Sequence, residues 1–295
     1  MRKHLFALLY TLCLIAFTAY VLLDAFVLVR VYGGAGVATE IPLPGVQPTA
    51  KAPVITAYSY SDENITLTIT QYREHDTTIH VADVLLTSPS LLKTAFAQGS
   101  YGRNITEKTS IMAEDSNAIL AINGDYYGSR QRGYVMRNGV AYRDSSMGYE
   151  ALAIMADGSF RVVQEDETPL RDLAEDGAVH VFSFGPALVV DGKVTVTRED
   201  EVGKAMADNP RTAIGVIEPG HYIFLVSDGR TRQSEGLTLL QLAEFMQSLG
   251  VTTAYNLDGG GSSTMVFLGE VLNSPTTNGR KITERSVSDI VYIGY

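Results

Sequence analysis

Tryptophan is absent from this chain of 295 residues, and cysteine occurs only once, at Cys13 in an apolar segment near the N-terminus. The rest of the chain therefore has no disulfide bonds and no thiol chemistry. Runs of lysine and arginine are also missing, and the formal net charge is −10. This charge balance argues against a nucleic-acid partner. Any anion site must be built locally, from a few arginine side chains or backbone N–H groups.

Common cofactor and metal motifs are missing as well. The chain has no P-loop lysine after its glycine-rich segment, no Gly-x-Ser-x-Gly elbow and no His-Glu-x-x-His pair. The four histidines outside the N-terminal segment are scattered, which is typical of structural residues. The sequence therefore indicates no cofactor, and it leaves open a divalent cation bound by a carboxylate cluster.

The N-terminal segment is long and apolar. Leu5 to Val29 is interrupted only by Asp24 and would span roughly 37 Å as a helix, enough to cross a bilayer. Arg2 and Lys3 precede it, which predicts a cytoplasmic N-terminus. We expect residues 1–31 to be an uncleaved single-pass anchor in the cell membrane, with the C-terminal domain extracellular. A cleaved signal sequence is the alternative.

Beyond this segment, residues 32–53 are rich in glycine and proline and are predicted to form a stalk, while residues 54–295 form one folded domain. Strand patterns predominate in the domain. The strands include 65–70, 78–86, 118–123 and 252–257. Two-residue turn signals stand at 138–139, 157–158, 191–192 and 219–220.

Helices are fewer. One is predicted to begin at Ser88-Pro89 and another to span Thr238–Leu249. The sequence thus indicates an α+β fold with largely antiparallel or mixed β-sheet and a few packed helices, preceded by one transmembrane helix.

Polar residues cluster where the apolar strands begin or end. Four segments have this form: AINGDYYG (121–128), NPRTAIG (209–215), SDGR (227–230) and NLDGGGSST (256–264). Three consecutive glycines in the last segment allow the backbone to approach a ligand and turn N–H groups toward an anion. A glycine-rich turn without a ligand fits the same pattern.

Taken together, these segments resemble the phosphodiester glycosidase family. The resemblance extends to SFGPALV (183–189), EGLTLLQLAEFM (235–246) and ERSVSDIV (284–291), and it covers residues 54–295. It implies hydrolysis of a sugar linked through its anomeric carbon to a phosphodiester. The lack of cysteine outside the N-terminal segment fits a bacterial, membrane-anchored member.

The resemblance also implies a set of site residues. As catalytic carboxylates it indicates Asp258, Asp228 and Asp125. As substrate-binding residues it indicates Asn123, Arg211, Arg230, Gly259, Gly260, Gly261, Ser262 and Arg285. No metal ligand is among them.

The chemistry of these residue types agrees with that activity. A carboxylate stabilises the oxocarbenium-like transition state of glycoside cleavage, as nucleophile or base. Phosphate is already a good leaving group, and bidentate arginine holds its charge. Asp258 and Arg211 are the first choices, and a phosphorylated glycan of the cell surface, an exopolysaccharide or the cell wall is the expected substrate. The alternatives are a non-catalytic glycan-binding module and a metal-dependent phosphodiesterase that cleaves the P–O bond.

Overall fold

The computed structural model describes residues 2–33, 45–48, 51–197, 199 and 208–295. Most of the predicted stalk lies outside the described residues. The helices in the described part are α1 (Arg2–Phe26), α2 (Thr109–Asp115), α3 (Leu170–Glu175) and α4 (Leu239–Ser248).

The strands of the first half are β1 (Arg30–Val31), β2 (Val54–Ile55), β3 (Ser59–Ser61), β4 (Ile65–Glu74), β5 (Thr77–Leu86), β6 (Leu92–Phe96), β7 (Gly102–Arg103), β8 (Leu120–Asn123), β9 (Val135–Arg137), β10 (Val140–Arg143), β11 (Glu150–Met155) and β12 (Phe160–Gln164). Those of the second half are β13 (Ala178–Phe182), β14 (Ala187–Val190), β15 (Lys193–Val194), β16 (Arg211–Glu218), β17 (His221–Ser227), β18 (Thr253–Asn256), β19 (Met265–Phe267), β20 (Glu270–Val271) and β21 (Asp289–Ile293).

A large antiparallel sheet forms the body of the domain, with strand order β15-β14-β18-β16-β17-β5-β4-β3-β2. Two smaller antiparallel sheets have the orders β20-β19-β8-β21-β6 and β10-β9-β13-β11-β12. The main hydrophobic core lies between the three sheets, and a second core lies under α4 on the other face of the large sheet. The α+β prediction is confirmed.

Local sequence signals explain these elements. In β4, Ile65, Leu67 and Ile69 are buried, whereas the threonines between them are exposed. Thr238 caps α4 in a reciprocal capping box with Gln241. The four turn signals each join two neighbouring antiparallel strands: β9–β10, β11–β12, β14–β15 and β16–β17. These predictions are confirmed.

The helix predicted at Ser88-Pro89 is wrong in extent. Ser88 does act as its N-cap, but only one 3-10 turn, Pro89–Leu91, forms before β6 begins. Burial overrides the local start signal, because Leu91 and Leu92 belong to the main core.

The N-terminal helix is separate from the core. It contains an apolar stretch, Leu5–Phe26, that has the length and composition to cross a bilayer. A signal sequence near the N-terminus can have the same length and composition. Its end is tied to the domain, since β1 pairs with β7 and the Arg103 guanidinium donates to the Ala25 carbonyl at 3.1 Å. This contact places the end of α1 beside one edge of the domain.

Candidate active site

Three neighbouring strands of the large sheet bring the predicted segments together. Arg211 opens β16 and pairs in register with Ser227 at the end of β17, directly before Asp228. On the other side of β16, Ala213 pairs with Asn256 of β18. Antiparallel pairing therefore puts the residues that follow β18 at the same edge as Arg211.

The segment after β8 joins this edge from another sheet. The Asp258 backbone N–H donates to the Gly124 carbonyl at 3.2 Å. The Asn123 side-chain amide donates to the Asp258 carbonyl at 2.6 Å. Two separate sheets thus fix the backbone of Asp258.

A cleft of about 440 Å³ opens at this edge, a size typical of small-molecule sites. We call it the Asp258 cleft. Six predicted site residues line it: Arg211, Arg230, Asp258, Gly259, Gly260 and Arg285.

Asp258 is the carboxylate of this cleft. Its Oδ2 accepts hydrogen bonds from the Ser262 hydroxyl at 2.6 Å and from Arg285 Nη2 at 2.9 Å. Its Oδ1 makes no hydrogen bond within the described residues. Burial raises the pKa of Asp258 above its ordinary 3.8, although Arg285 and Ser262 oppose the shift. One oxygen is therefore fixed and the other is available to a ligand.

Arg285 bridges Asp258 and the glycine turn. Its Nε donates to the Ser262 hydroxyl at 2.9 Å, and its Nη2 lies 3.4 Å from the Gly259 carbonyl. The side chain is 38% exposed, so part of its guanidinium faces solvent and the cleft.

Arg230 supplies a second guanidinium. Its Nε and Nη2 donate to Asn209 Oδ1 at 3.1 and 3.0 Å, and its Nη1 donates to the Thr277 carbonyl at 2.6 Å. Burial and the nearby charge of Arg285 lower its pKa. The like charges of the neighbouring Arg230 and Arg285 guanidinium groups favour binding of an anion between them.

Arg211 is the most buried of the cleft arginines, at 5% exposed. Its backbone N–H donates to the Ser227 hydroxyl at 2.9 Å, and its Nε donates to the Leu237 carbonyl at 2.8 Å. These contacts fix the direction of its side chain at the start of β16.

The three glycines differ in what they do. Gly260 has a φ of +63°, and a Cβ there would meet Arg230 Nη2 at 2.9 Å. A Cβ at Gly261 would meet the Thr277 hydroxyl at 2.4 Å. Gly259 and Gly260 line the cleft, whereas Gly261 is buried and packs on the protein. The glycines therefore serve close packing of the turn at least as much as ligand approach.

Asp125 lies outside the cleft, in a buried ion cluster. Its Oδ2 accepts from Arg137 Nη2 at 2.9 Å and its Oδ1 accepts from the Tyr127 N–H at 2.9 Å. It also accepts from the Ser183 N–H at 3.3 Å, at the start of a loop that lines the cleft. Both oxygens are occupied and the residue is 2% exposed.

The ion cluster has one cation for two carboxylates. Arg137 Nε also contacts Asp289 Oδ2 at 2.9 Å, and Asp289 Oδ1 lacks a hydrogen-bond partner within the described residues. Burial raises the pKa of Asp289 to about 7; Arg137 opposes this shift and the charge of Asp125 adds to it. One guanidinium cannot fully offset the charge of two buried carboxylates.

Asp228 and Asn123 also support the cleft from behind. Asp228 Oδ1 accepts from the Ser274 N–H at 2.7 Å, and its Oδ2 lies 3.8 Å from His80 Nε2. Asn123 is fully buried and accepts from the Thr212 hydroxyl at 2.8 Å. Neither residue is among those that line the cleft.

Several cleft residues are missed by sequence reasoning. They include Arg130, Asn209, Asn256 and the loop Phe184-Gly185-Pro186. Asn209, Asn256 and the loop lie inside the segments that carry the family resemblance. Their place in those segments is the sequence signal that could have identified them. Arg130 stands outside those strings, and only the tertiary structure brings it to the cleft.

No group of three or more histidine, cysteine, aspartate or glutamate side chains within the described ranges is arranged to hold a metal ion. The ion cluster around Arg137 contains two carboxylates, and both of them bind the guanidinium itself.

Comparison with known proteins identifies the family. The profile of the phosphodiester glycosidase family matches residues 116–294. The chain belongs to this family. The match spans β8 to β21 and therefore every predicted site residue.

Individual relatives are similar in sequence to parts of this chain. The chain is 32% identical over 203 residues to the SPbeta prophage-derived uncharacterized protein YomE of Bacillus subtilis (strain 168), covering 66% of this chain and 31% of YomE. It is 42% identical over 119 residues to the human N-acetylglucosamine-1-phosphodiester alpha-N-acetylglucosaminidase, covering 39% of this chain and 23% of that enzyme. The chain thus spans less than a third of the length of these relatives.

Solved structures share the fold. The catalytic domain of the zebrafish N-acetylglucosamine-1-phosphodiester alpha-N-acetylglucosaminidase, auto-inhibited by its pro-peptide, has a TM-score of 0.61 at 22% identity, over 78% of this chain and 83% of that one. A hypothetical protein from Synechocystis has a TM-score of 0.59 at 15% identity, over 78% of this chain and 62% of that one.

Proposed function

We propose that this phosphodiester glycosidase hydrolyses a sugar 1-phosphodiester, with Asp258 as the catalytic carboxylate. The observation that carries the proposal is the pairing, in one cleft, of a buried carboxylate with the guanidinium groups of Arg211, Arg230 and Arg285. The carboxylate stabilises positive charge on the sugar, and the guanidinium groups bind the phosphate.

The reaction replaces one bond to the anomeric carbon with another. The C–O bond to the phosphate breaks, and the phosphate keeps the bonding electrons. The oxygen of water becomes bonded to that carbon, either directly or after a glycosyl ester with Asp258, and a proton of water is released. Asp258 Oδ1, which makes no hydrogen bond within the described residues, is the oxygen placed to stabilise the developing cation.

Arginine donors offset the charge on the leaving phosphate. Burial and the nearby charge of Arg285 lower the pKa of Arg230, and a bound phosphate relieves the repulsion between the two guanidinium groups. This strengthens binding of the group whose negative charge grows as the C–O bond breaks.

The substrate is proposed to be a phosphorylated glycan of the cell surface, cell wall or an exopolysaccharide. This rests on the location that we propose for the domain, outside a membrane spanned by α1. The lysine and arginine before the apolar stretch support that orientation.

Hydrolysis in ¹⁸O-labelled water tests the reaction. Incubation of the chain with a sugar 1-phosphodiester should put the label in the released sugar. Label in the phosphate would instead identify a phosphodiesterase that cleaves the P–O bond. Saturable binding with no turnover would identify a glycan-binding module.

A further inference from the structure

A second cavity of about 230 Å³ lies beside the Asp258 cleft. We call it the tyrosine pocket. It is lined chiefly by Tyr32, Tyr101, Tyr127, Tyr142, Arg130 and Arg143. No step of the proposed hydrolysis uses it.

Aromatic rings form one wall of the tyrosine pocket. Tyr101 and Tyr127 are stacked with ring centroids 5.2 Å apart, and Tyr142 lies 5.0 Å from Tyr101. Tyr32 stands 6.0 Å from Tyr101 and is 43% exposed at the rim. Tyrosine offers an apolar ring face together with a polar hydroxyl, which suits the mixed surface of a sugar ring.

The pocket is also positively charged. Arg143 donates to the carbonyls of Gly133, Tyr127 and Arg130 at 2.6, 3.1 and 2.6 Å. Within the described residues, the pocket arginines 103, 130 and 143 form no ion pair with a carboxylate. Burial lowers the pKa of Arg143. In a chain with a net charge of −10, such a group of arginines favours an anionic ligand.

Arg130 connects this pocket to the cleft, because it lines both. Its Nη1 donates to the Ser183 carbonyl at 3.1 Å, and its guanidinium carbon lies 5.0 Å from the centre of the Phe184 ring, which lines the cleft. The two cavities therefore adjoin at Arg130.

The segment after the N-terminal helix completes the pocket. Tyr32 directly follows β1, and its N–H donates to the Tyr101 carbonyl at 2.9 Å. The pocket therefore lies at the end of the domain where α1 is attached.

We propose that the tyrosine pocket binds the phosphate-bearing sugar unit next to the linkage cleaved at Asp258, so that the preferred substrate is a repeating sugar-phosphodiester glycan. This inference rests on the proposed function of the cleft. The exposed parts of Tyr32 and Tyr142 pack on the neighbouring sugar over the buried Tyr101 and Tyr127, and Arg130 and Arg143 bind its phosphate.

Two synthetic probes test the inference on the full chain in detergent. The one-unit probe is N-acetylglucosamine 1-(methyl phosphate). The two-unit probe replaces the methyl group with a second such unit joined through its O6. Calorimetry with the Asp258→Asn form of the full chain, in which we expect turnover to be strongly reduced, should give about tenfold tighter binding of the two-unit probe, the equivalent of one charge-assisted hydrogen bond.

Two variants locate the gain. Tyr32→Ala and Arg130→Gln should each remove most of the preference for the two-unit probe. The matched controls Tyr149→Ala and Arg132→Gln, both at exposed positions outside the two cavities, should keep it.

The results that would contradict the pocket assignment differ from those that would contradict the proposed hydrolysis. Equal binding of both probes, or an equal loss in Tyr32→Ala and Tyr149→Ala, would overturn the pocket assignment. If the one-unit probe is hydrolysed without any preference for two units, the proposed function stands and the pocket assignment falls. Tighter two-unit binding without hydrolysis would support the pocket and overturn the proposed reaction. Failure to bind either probe would overturn both.

Discussion

Replacement of Asp258 by asparagine separates a catalytic carboxylate from one that only shapes the glycine turn. The substitution keeps the size of the side chain and removes its charge. The amide oxygen can still accept the hydrogen bonds that Ser262 and Arg285 donate to Oδ2. The amide nitrogen then occupies the position of Oδ1 and cannot act as nucleophile or base.

The expected effects on stability and turnover differ widely. Arg285 is 38% exposed, so water screens its interaction with Asp258 and can solvate it in the variant. Removal of the buried charge also relieves the desolvation that raises the pKa of Asp258. The free energy of unfolding should therefore change by about 1 kcal/mol or less, a shift of roughly 2–4 °C in Tm. Turnover should fall by about a hundredfold or more, about 2.7 kcal/mol in activation free energy.

Initial rates on a sugar 1-phosphodiester and thermal unfolding of the same preparations measure both quantities. Asp83→Asn is the matched control, since Asp83 is an aspartate on β5 with a 52% exposed side chain that does not line the cleft. If Asp258 only caps the turn, residual activity should follow the folded fraction. A folded Asp258→Asn protein with near-normal turnover would refute the assignment and direct attention to Asp228 and Asp125.

Three further outcomes are expected. Arg211→Lys should lose the bidentate geometry and reduce kcat/KM more on a phosphodiester than on an aryl glycoside of the same sugar; equal losses would contradict a phosphate contact. Because burial raises the pKa of Asp289 from 3.8 to about 7, the folded state binds this proton more tightly than the unfolded state. The resulting contribution to the free energy of unfolding should decline as the pH rises between these two pKa values, and it should be absent from Asp289→Asn. Chemical denaturation of both proteins at several pH values measures this contribution. Parallel pH profiles of the two proteins would contradict it. Protease treatment of intact cells should release the domain, and full protection would contradict the proposed orientation.

Local patterns were sufficient for much of the fold. Alternation in β4 is set by the two-residue repeat of a strand, and the capping residues of α4 act within one turn of it. Turn dipeptides such as Asn138-Gly139 act over two residues and have positive φ at both. The helix-start signal at Ser88-Pro89 fails because burial of Leu91 and Leu92 in the core ends the helical turn.

The site itself could be predicted only in part. Asp258, Arg211 and Arg230 occur next to strand ends, and strands of one antiparallel sheet bring such ends together. The sequence ranks Asp258 before Asp125 through the family resemblance and the three glycines that follow Asp258, although both residues follow an apolar strand.

Tertiary contacts decide that difference. Arg137 lies 12 residues from Asp125 and 152 from Asp289, yet it binds both within the core, and Asp125 is not among the residues that line the cleft. Arg130 and Tyr32 similarly acquire their places only when β1 pairs with β7 and the loop at Phe184 folds back. The sequence by itself determined the strands, the turns and the family, because those depend on neighbours along the chain and on ordered motifs. Which carboxylate faces the cleft depends on partners distant in sequence, and only the packed structure brings those partners together.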